Sequence, residues 1–394
     1  MSYTKRRFII LVGLVGISGF SQGLLLPLIS IILEQEGVSS SVNGLHATAL
    51  YIGILIVSPF LEPPLRRFGY KPVILLGGAV VVMALFSFTL WESIWFWFVL
   101  RLLIGIGDNI LHFGTQTWIT TTTEDSKRGK YIAIYGLMFG LGFTVGPLFT
   151  RLMEVHQNLP FIVSSALCLF VWLFVFWLKN DYPVSETEVD ISTSNALSRF
   201  TNAGKIAWIA MLGPFAYGFL ETVLHSIFPI YAMRIGHEVG LISLIIPCFA
   251  GASIISQIPL GSLSDRVGRK KVLSAILLGG TMVFWAGTLL DQSIVGLFAI
   301  FITAGLLLGS LFSLGISYMT DLLPKALLPA GNILCGAAFS IGSITGPIVG
   351  GFYLDYIKNA SFFLMLGVFL GLVTLLMIFF GPKTTKHTKN PESI

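Results

Sequence analysis

Apolar and polar positions fall in long blocks along this chain, not in residue-by-residue alternation. Twelve apolar runs cover roughly residues 8–33, 43–62, 73–91, 94–120, 131–152, 160–178, 206–233, 239–262, 272–290, 294–320, 331–355 and 361–381. A helix needs about 20 such residues to cross a bilayer. Several runs exceed that, which predicts tilt or extension beyond the lipid. Only helices and closed barrels satisfy their own backbone in lipid, and runs this long and apolar are helices. The pattern predicts an all-α membrane protein with twelve transmembrane helices. The first run follows Lys5, Arg6 and Arg7. It is too long for a signal-peptide core and lacks a small-residue cleavage site, so it is expected to stay as the first helix.

The polar connections set the orientation. Number them alternately, with the N-terminus on side one. Side one then receives twenty lysines and arginines, side two receives only Arg151, Arg234 and Lys358, and Arg101 stays inside a span. Basic residues mark the cytoplasmic side, so both termini are expected inside the cell. The alternation holds through all twelve runs, which supports the count. Composition agrees: 11% of residues are charged, against about 25% in soluble domains, and the mean hydropathy is +0.86. The pI near 9.0 follows from the same inside bias and does not call for nucleic acid. Cys168, Cys248 and Cys335 all lie in apolar runs, which argues against a disulfide framework or a thiolate metal site.

The longest connection, 179–205, is polar and divides six runs from six. It predicts an N-terminal six-helix bundle (1–178), a cytoplasmic linker (179–205) and a C-terminal bundle with a short cytoplasmic tail (206–394). The halves echo each other. "GFTVGP" at 142–147 matches "GSITGP" at 342–347, and "RRFGYKPV" at 66–73 matches "DRVGRKKV" at 265–272, at offsets of 200 and 199. Pro27 and Pro229 sit at corresponding depth. Two repeated helical halves suit a secondary transporter with its binding site between them.

Two runs carry groups that are costly in lipid. In "RLLIGIGDNILHFG", Arg101, Asp108 and His112 share one helical face with Gly105, and Gln116 extends it. Asp108 falls near mid-membrane, where a charge costs roughly 2.5–3.5 kcal/mol. Arg101 and Asp108 are about 10.5 Å apart along the axis, at 1.5 Å per residue, a gap that an arginine narrows but does not close. Structural neutralisation within the bundle and a role in transport both remain open for this stripe. In "AYGFLETVLHSIFPIYA", Tyr217, Glu221 and His225 also share a face, with Glu221 near the midplane. Burial favours the neutral form of a carboxylic acid, so an acid in an apolar cavity can take up and release a proton near neutral pH. A carboxylate can also attract a cationic substrate; a neutral, hydrogen-bonded structural glutamate is the plainer alternative. In the first run Gln22 is a candidate cavity donor, a helix–helix contact being equally open. Gly136, Gly140, Gly142 and Gly146, and Gly342, Gly346 and Gly350, have small-xxx-small spacing, which lets helices approach closely. His46, His156, His237 and His387 lie near span ends or in connections and form no metal cluster.

The chain resembles the major facilitator superfamily over essentially its whole length, and in particular the bacterial drug/proton antiporter-like branch. "GSLSDRVGRKK" at 261–271 resembles the family's loop motif, Arg101 with "LLIGIG" its span-4 arginine motif, and "GLGFTVGP", with Gly142, Gly146 and Pro147, its span-5 antiporter motif. Gly342, Gly346 and Pro347 give the span-11 counterpart. There are departures. The loop copy between spans 2 and 3 has Glu62 for the glycine and Arg66 for the aspartate, and the span-5 motif ends in Phe149 and Thr150. The resemblance implies that spans 1, 4, 7 and 10 line a central cavity, which places the Asp108 stripe opposite Glu221 and adds Ser310 and Ser313. It implies that Asp265, Arg266, Gly268 and Arg269 form a gating loop that favours the outward-open state.

The expected function is a secondary active transporter in a bacterial plasma membrane. It is expected to export small hydrophobic or amphipathic compounds in exchange for protons, through Asp108 and Glu221. Uptake of an organic anion or nutrient, with Arg101 and the histidines as its site, is the alternative; movement of a lipid-like substrate is another. An intramembrane enzyme or scaffold is the reading outside transport. No phosphate-binding or hydrolase motif accompanies the polar residues, so an enzyme is not expected. The expected partners are a small-molecule substrate, protons and membrane lipids. The proton gradient replaces any cofactor or metal, and the resemblance implies a monomer.

Overall fold

The computed structural model describes residues 3–183, 193–357 and 361–382. Among these residues twelve helices are long and apolar enough to cross a membrane. They are α1 (Tyr3–Gln35), α2 (Ser40–Phe60), α3 (Tyr70–Ser87), α4 (Ile94–Thr122), α5 (Lys127–Glu154), α6 (Leu159–Trp177), α7 (Ser198–Arg234), α8 (Val239–Val267), α9 (Arg269–Leu290), α10 (Ile294–Leu322), α11 (Lys325–Tyr356) and α12 (Phe362–Phe380). Each overlaps one apolar run of the sequence. Proline removes a backbone donor and crowds the preceding turn. Accordingly α5 tightens into 3₁₀ geometry at Gly146 and Pro147, and α7 breaks at Ile227 ahead of Pro229. Pro27 is accommodated inside an unbroken α1. Helical structure begins at Thr193, inside the stretch expected to be linker, and leaves helical geometry at Ala207 (φ −116°, ψ 15°). Residues 184–192 of that stretch lie outside the described residues.

Helices α1–α6 form one bundle and α7–α12 the other. Buried apolar side chains sort the same way: one core runs from Ala203 to Met377, and two cores lie between Ile10 and Leu178. The repeat extends to the backbone. The left-handed glycines come in two pairs 199 residues apart, Gly37 with Gly236 (φ 76° and 94°) and Gly69 with Gly268 (φ 83° and 107°). Such φ values are open to glycine at little cost. The glycine stripes also correspond. A Cβ on Gly142 or Gly146 of α5 would collide with the Gly16 or Phe20 carbonyl of α1. On Gly342 or Gly346 of α11 it would meet the Phe215 or Phe219 carbonyl of α7.

The halves meet on the face opposite the termini and part toward the face that carries them. On the far side, a Cβ on Gly44 of α2 would strike the Pro347 carbonyl of α11, and one on Gly351 would strike the Ser40 carbonyl. At mid-height Leu26, Phe143 and Ala250 pack together from α1, α5 and α8, and Gly140 faces Ile254. One turn nearer the termini the contact is lost. Gly136 and Gly336 face nothing within 4 Å, and Ile258 and Ile333 are 79% and 60% exposed. The protein is closed on its far face and open on its terminal face.

Three charged side chains span the closed face. Arg234, ending α7, donates to Glu34 of α1 from Nε (2.7 Å, to Oε1) and Nη2 (3.1 Å, to Oε2). Its Nη2 is 4.0 Å from Asp355 of α11. Asp355 also accepts the Ser40 and Ser41 N–H groups, at 3.0 and 2.7 Å, at the start of α2. First-turn N–H groups have no partner within their helix, and the positive end of the helix dipole favours an anion. An exposed ion pair contributes at most about 1 kcal/mol, roughly a fivefold change in a population. Arg234→Ala combined with Asp355→Asn is therefore expected to populate a form open on the far face. Spin labels at Glu36 and Glu238, in a chain freed of its native cysteines, would report a second, longer distance. A single distance unchanged by the double substitution would mean that these charges do not hold the face shut.

Candidate functional site

The α4 stripe splits into two separate networks. Arg101 is 0% exposed. Its Nη1 lies 3.0 Å from His46 Nδ1, and its Nη2 donates to the Leu25 and Leu26 carbonyls at 3.0 and 3.4 Å. His46 Nε2 is 3.1 Å from the Ile94 carbonyl. A carbonyl only accepts, so Nε2 carries the hydrogen and Nδ1 accepts from Arg101. His46, near the start of α2, is thus a buried partner of Arg101. Gly105, between Arg101 and Asp108, packs on the Leu50 carbonyl, so this part of the stripe faces α2 and not an open cavity. The expectation that Arg101 lines the cavity is corrected for the same reason: it is fully buried and its Nη1 and Nη2 bond α2 and α1, while its Nε has no hydrogen-bond partner among the described residues.

Asp108 is 1% exposed. Its Oδ1 accepts from Ser18 Oγ of α1 at 2.6 Å, and Gln22 lies beside the carboxyl. The same Ser18 Oγ is 3.0 Å from His112 Nε2, and His112 Nδ1 is 2.6 Å from the Tyr135 hydroxyl of α5. Ser18 and Gln22 on one helix, and Asp108 and His112 on the other, are each one turn apart, so two pairs meet face to face. Exposure rises along the stripe toward the terminal face: Asp108 is buried, His112 partly exposed and Gln116 exposed. Asp108 therefore lies behind the cavity wall, within the N-terminal bundle, and does not face Glu221 across open space.

Glu221 of α7 is partly exposed and lies beside Tyr217. His225 departs from the expected cluster. Its Nδ1 bonds the Glu221 main-chain carbonyl at 2.7 Å, and its ring lies 4.6 Å from that of Phe143 in the other half. His225 is buried, and its Nε2 has no hydrogen-bond partner among the described residues. Tyr217, Phe312 and Phe339 bring their rings within 5.5 to 6.4 Å of one another. Tyr51 of α2 joins them at 6.3 Å from Phe339 and has Glu221, Ser343 and Arg101 as its electrostatic neighbours. Among the described residues neither Asp108 nor Glu221 is in an ion pair.

The family model of the Major Facilitator Superfamily matches residues 11–212 and 210–393. The chain belongs to the major facilitator superfamily. It is 51% identical over 382 residues to an uncharacterized MFS-type transporter, YfkF, of Bacillus subtilis (strain 168), with 97% of each chain covered. It is 24% identical over 374 residues to multidrug resistance protein 2 of the same organism, with 89% of each covered. Among solved structures, the nucleoside transporter NupG superposes with a TM-score of 0.77 at 14% identity, over 96% of this chain and 98% of that one. A D-xylose–proton symporter superposes at 0.75 and 13% identity, over 98% and 99%. The two structures share the fold.

The superfamily loop motif is well formed on the open face. Asp265 pairs with Arg269 at 2.5 Å and is 62% exposed, while Arg269 donates to Ser264 Oγ at 2.7 Å and lies 3.6 Å from Asp321 of α10. Arg266 is exposed, and Gly268 makes the left-handed turn into α9. The altered first copy pairs Glu62 with Arg66 at 2.7 Å. These pairs stay within their own halves. Ser18, Tyr51 and Tyr135 join the site without having been singled out in the sequence, and His46, noted there only as lying near a span end, joins it as well. The helical spacing of Ser18 to Gln22 was a usable signal; the partners of Tyr51 and Tyr135 lie on other helices and leave no local trace. Arg101→Ala strands the His46 Nδ1 acceptor and two carbonyl contacts. A charged hydrogen bond contributes about 1.5–3 kcal/mol, so this variant should melt several degrees below the native protein in detergent. Arg101→Lys, with its single compact ammonium, should recover only part of the loss. An unchanged melting point in Arg101→Ala would show that the network does not stabilise the bundle.

Proposed function

We propose that this protein is a proton-coupled exporter of small hydrophobic or amphipathic compounds, working as a monomer by alternating access in a bacterial plasma membrane. The observation that carries the reading is Glu221: a partly exposed carboxyl without an ion-pair partner, between two helical halves, beside Tyr217 and near the rings of Phe312 and Phe339. Aromatic faces take up the apolar body of a substrate and attract a cationic group, while the carboxylate complements positive charge. The basic bias of the connections assigns the open face to the cytoplasm, from which an exported compound would enter. The reading is further supported by multidrug resistance protein 2 among the relatives. Arg101, on which uptake of an organic anion would depend, is committed to His46 and the α1 backbone.

In the proposed cycle, the cytoplasm-open form releases protons from Glu221 and Asp108 and takes up substrate. Reorientation exposes the site outside, where proton binding displaces the substrate. In that outward-open form Asp265 and its neighbours hold the cytoplasmic face closed, as the Arg234–Glu34–Asp355 cluster closes the other face in the present form. Tetraphenylphosphonium, a lipophilic cation, is a suitable probe in proteoliposomes under an imposed pH gradient. Gradient-driven flux is expected with the native protein, and Asp108→Asn and Glu221→Gln should each lower it toward the rate of empty liposomes. Full flux in both variants would sink the proton assignment, and gradient-driven movement only toward the cytoplasmic side would favour uptake.

A further inference from the structure

We propose that Ser18, His112 and Tyr135 form the proton path between Asp108 and the open face. The inference rests on the reading of Asp108 as a proton site and adds the route. Asp108 is buried and cannot exchange with water directly. The groups turned toward it are Ser18 and Gln22 from α1, His112 one turn along α4, and Cys168 from α6; the α3 side is walled by Gly78, Val81 and Val82. Arg101 points away to His46. Ser18 Oγ alone touches both the Asp108 carboxyl (2.6 Å) and the His112 ring (3.0 Å). Beyond it His112 and Tyr135 are 2.6 Å apart: His112 is partly exposed, and Tyr135, buried at 9% exposure, adjoins the exposed Gly136 at the level where the halves part.

The chain of contacts has two self-consistent hydrogen arrangements. With Asp108 ionised, the Tyr135 hydroxyl donates to His112 Nδ1, His112 Nε2–H donates to Ser18 Oγ, and the Ser18 hydroxyl donates to the carboxylate. With Asp108 protonated, every donor reverses: the carboxyl donates to Ser18, Ser18 to Nε2, and Nδ1–H to the Tyr135 oxygen. The Tyr135 hydrogen then turns to the His112 main-chain carbonyl, 3.3 Å away. Passing from the first arrangement to the second, the Tyr135 O–H proton moves to Nδ1, the Nε2 proton to Ser18 and the Ser18 proton to Asp108. A hydronium ion at the open face restores the Tyr135 hydroxyl, so one proton enters and one is stored. Release runs the same steps backwards. The imidazole suits this role because its two nitrogens exchange donor and acceptor duties.

The test follows the infrared carbonyl stretch of the protonated Asp108 carboxyl after a rapid drop in pH, in purified full-length protein. Asp108→Asn identifies the band. Ser18→Ala and Tyr135→Phe are expected to slow its appearance by about 10²-fold, the lower end of what a positioned proton-transfer group contributes, without changing its final size. Ser18→Thr, which keeps the hydroxyl, is expected to retain the native rate, and melting curves check that each variant is folded. Native rates in both Ser18→Ala and Tyr135→Phe would overturn the path while leaving Asp108 as a proton site. Equal slowing in Ser18→Thr and Ser18→Ala would reduce Ser18 to a packing role and overturn it as well. Identical spectra for the native protein and Asp108→Asn would overturn the underlying assignment, and the path with it.

Discussion

A bilayer supplies no water to a polar group, and that constraint governs where every polar side chain in this protein can sit. The backbone meets it by becoming helix. Arg101 meets it by donating to His46 and to two carbonyls of α1, so a residue that looks out of place in an apolar run becomes a cross-brace among α1, α2 and α4. Asp108 meets it with a serine hydroxyl and a neighbouring glutamine and not with a cation. A carboxyl solvated by neutral groups can change its proton occupancy without stranding a buried positive charge, whereas one paired to arginine could not.

The two halves obey different rules inside and between. Within each half, glycines bring backbone against backbone: α5 against α1, and α11 against α7. Contacts that close leave little freedom to shift, so each bundle behaves as a unit. Between the halves, the far face is held by charged side chains, by helix-end N–H groups and by the glycine contacts of α2 with α11, and the described residues of the other face show no such cluster across the halves. Each exposed charge contact contributes little, so the close α2–α11 packing and the Leu26–Phe143–Ala250 cluster carry a share of that interface. The loop around Asp265 is paired only within its own half, consistent with its lying on the open side.

The span count, the two-half repeat and the helical faces carrying Asp108 with His112 and Tyr217 with Glu221 could be read along the chain, because hydropathy, charge bias and helical periodicity are local properties. So could the resemblance to the superfamily, which rests on contiguous motifs. The division of the α4 stripe into two networks could not. Arg101 and Asp108 share a face by spacing, yet α2 covers one end and α1 the other. The roles of His46 and Tyr51 were not legible because their partners lie far away in sequence, and His225 turned to a main-chain carbonyl that no side-chain pattern reveals.

By itself, then, the sequence determined the solvent, the helices, their alternation across the membrane and the acids that the membrane makes costly. The tertiary structure decided which face is open, which acid lies beside the aromatic rings and which is buried behind Ser18 and His112. The physical reason is range. A helix and its hydropathy depend on neighbours within a few residues, but the bond between Ser40 and Asp355 joins groups 315 positions apart. Contacts of that kind exist only after two bundles have packed and come to rest at one angle to each other.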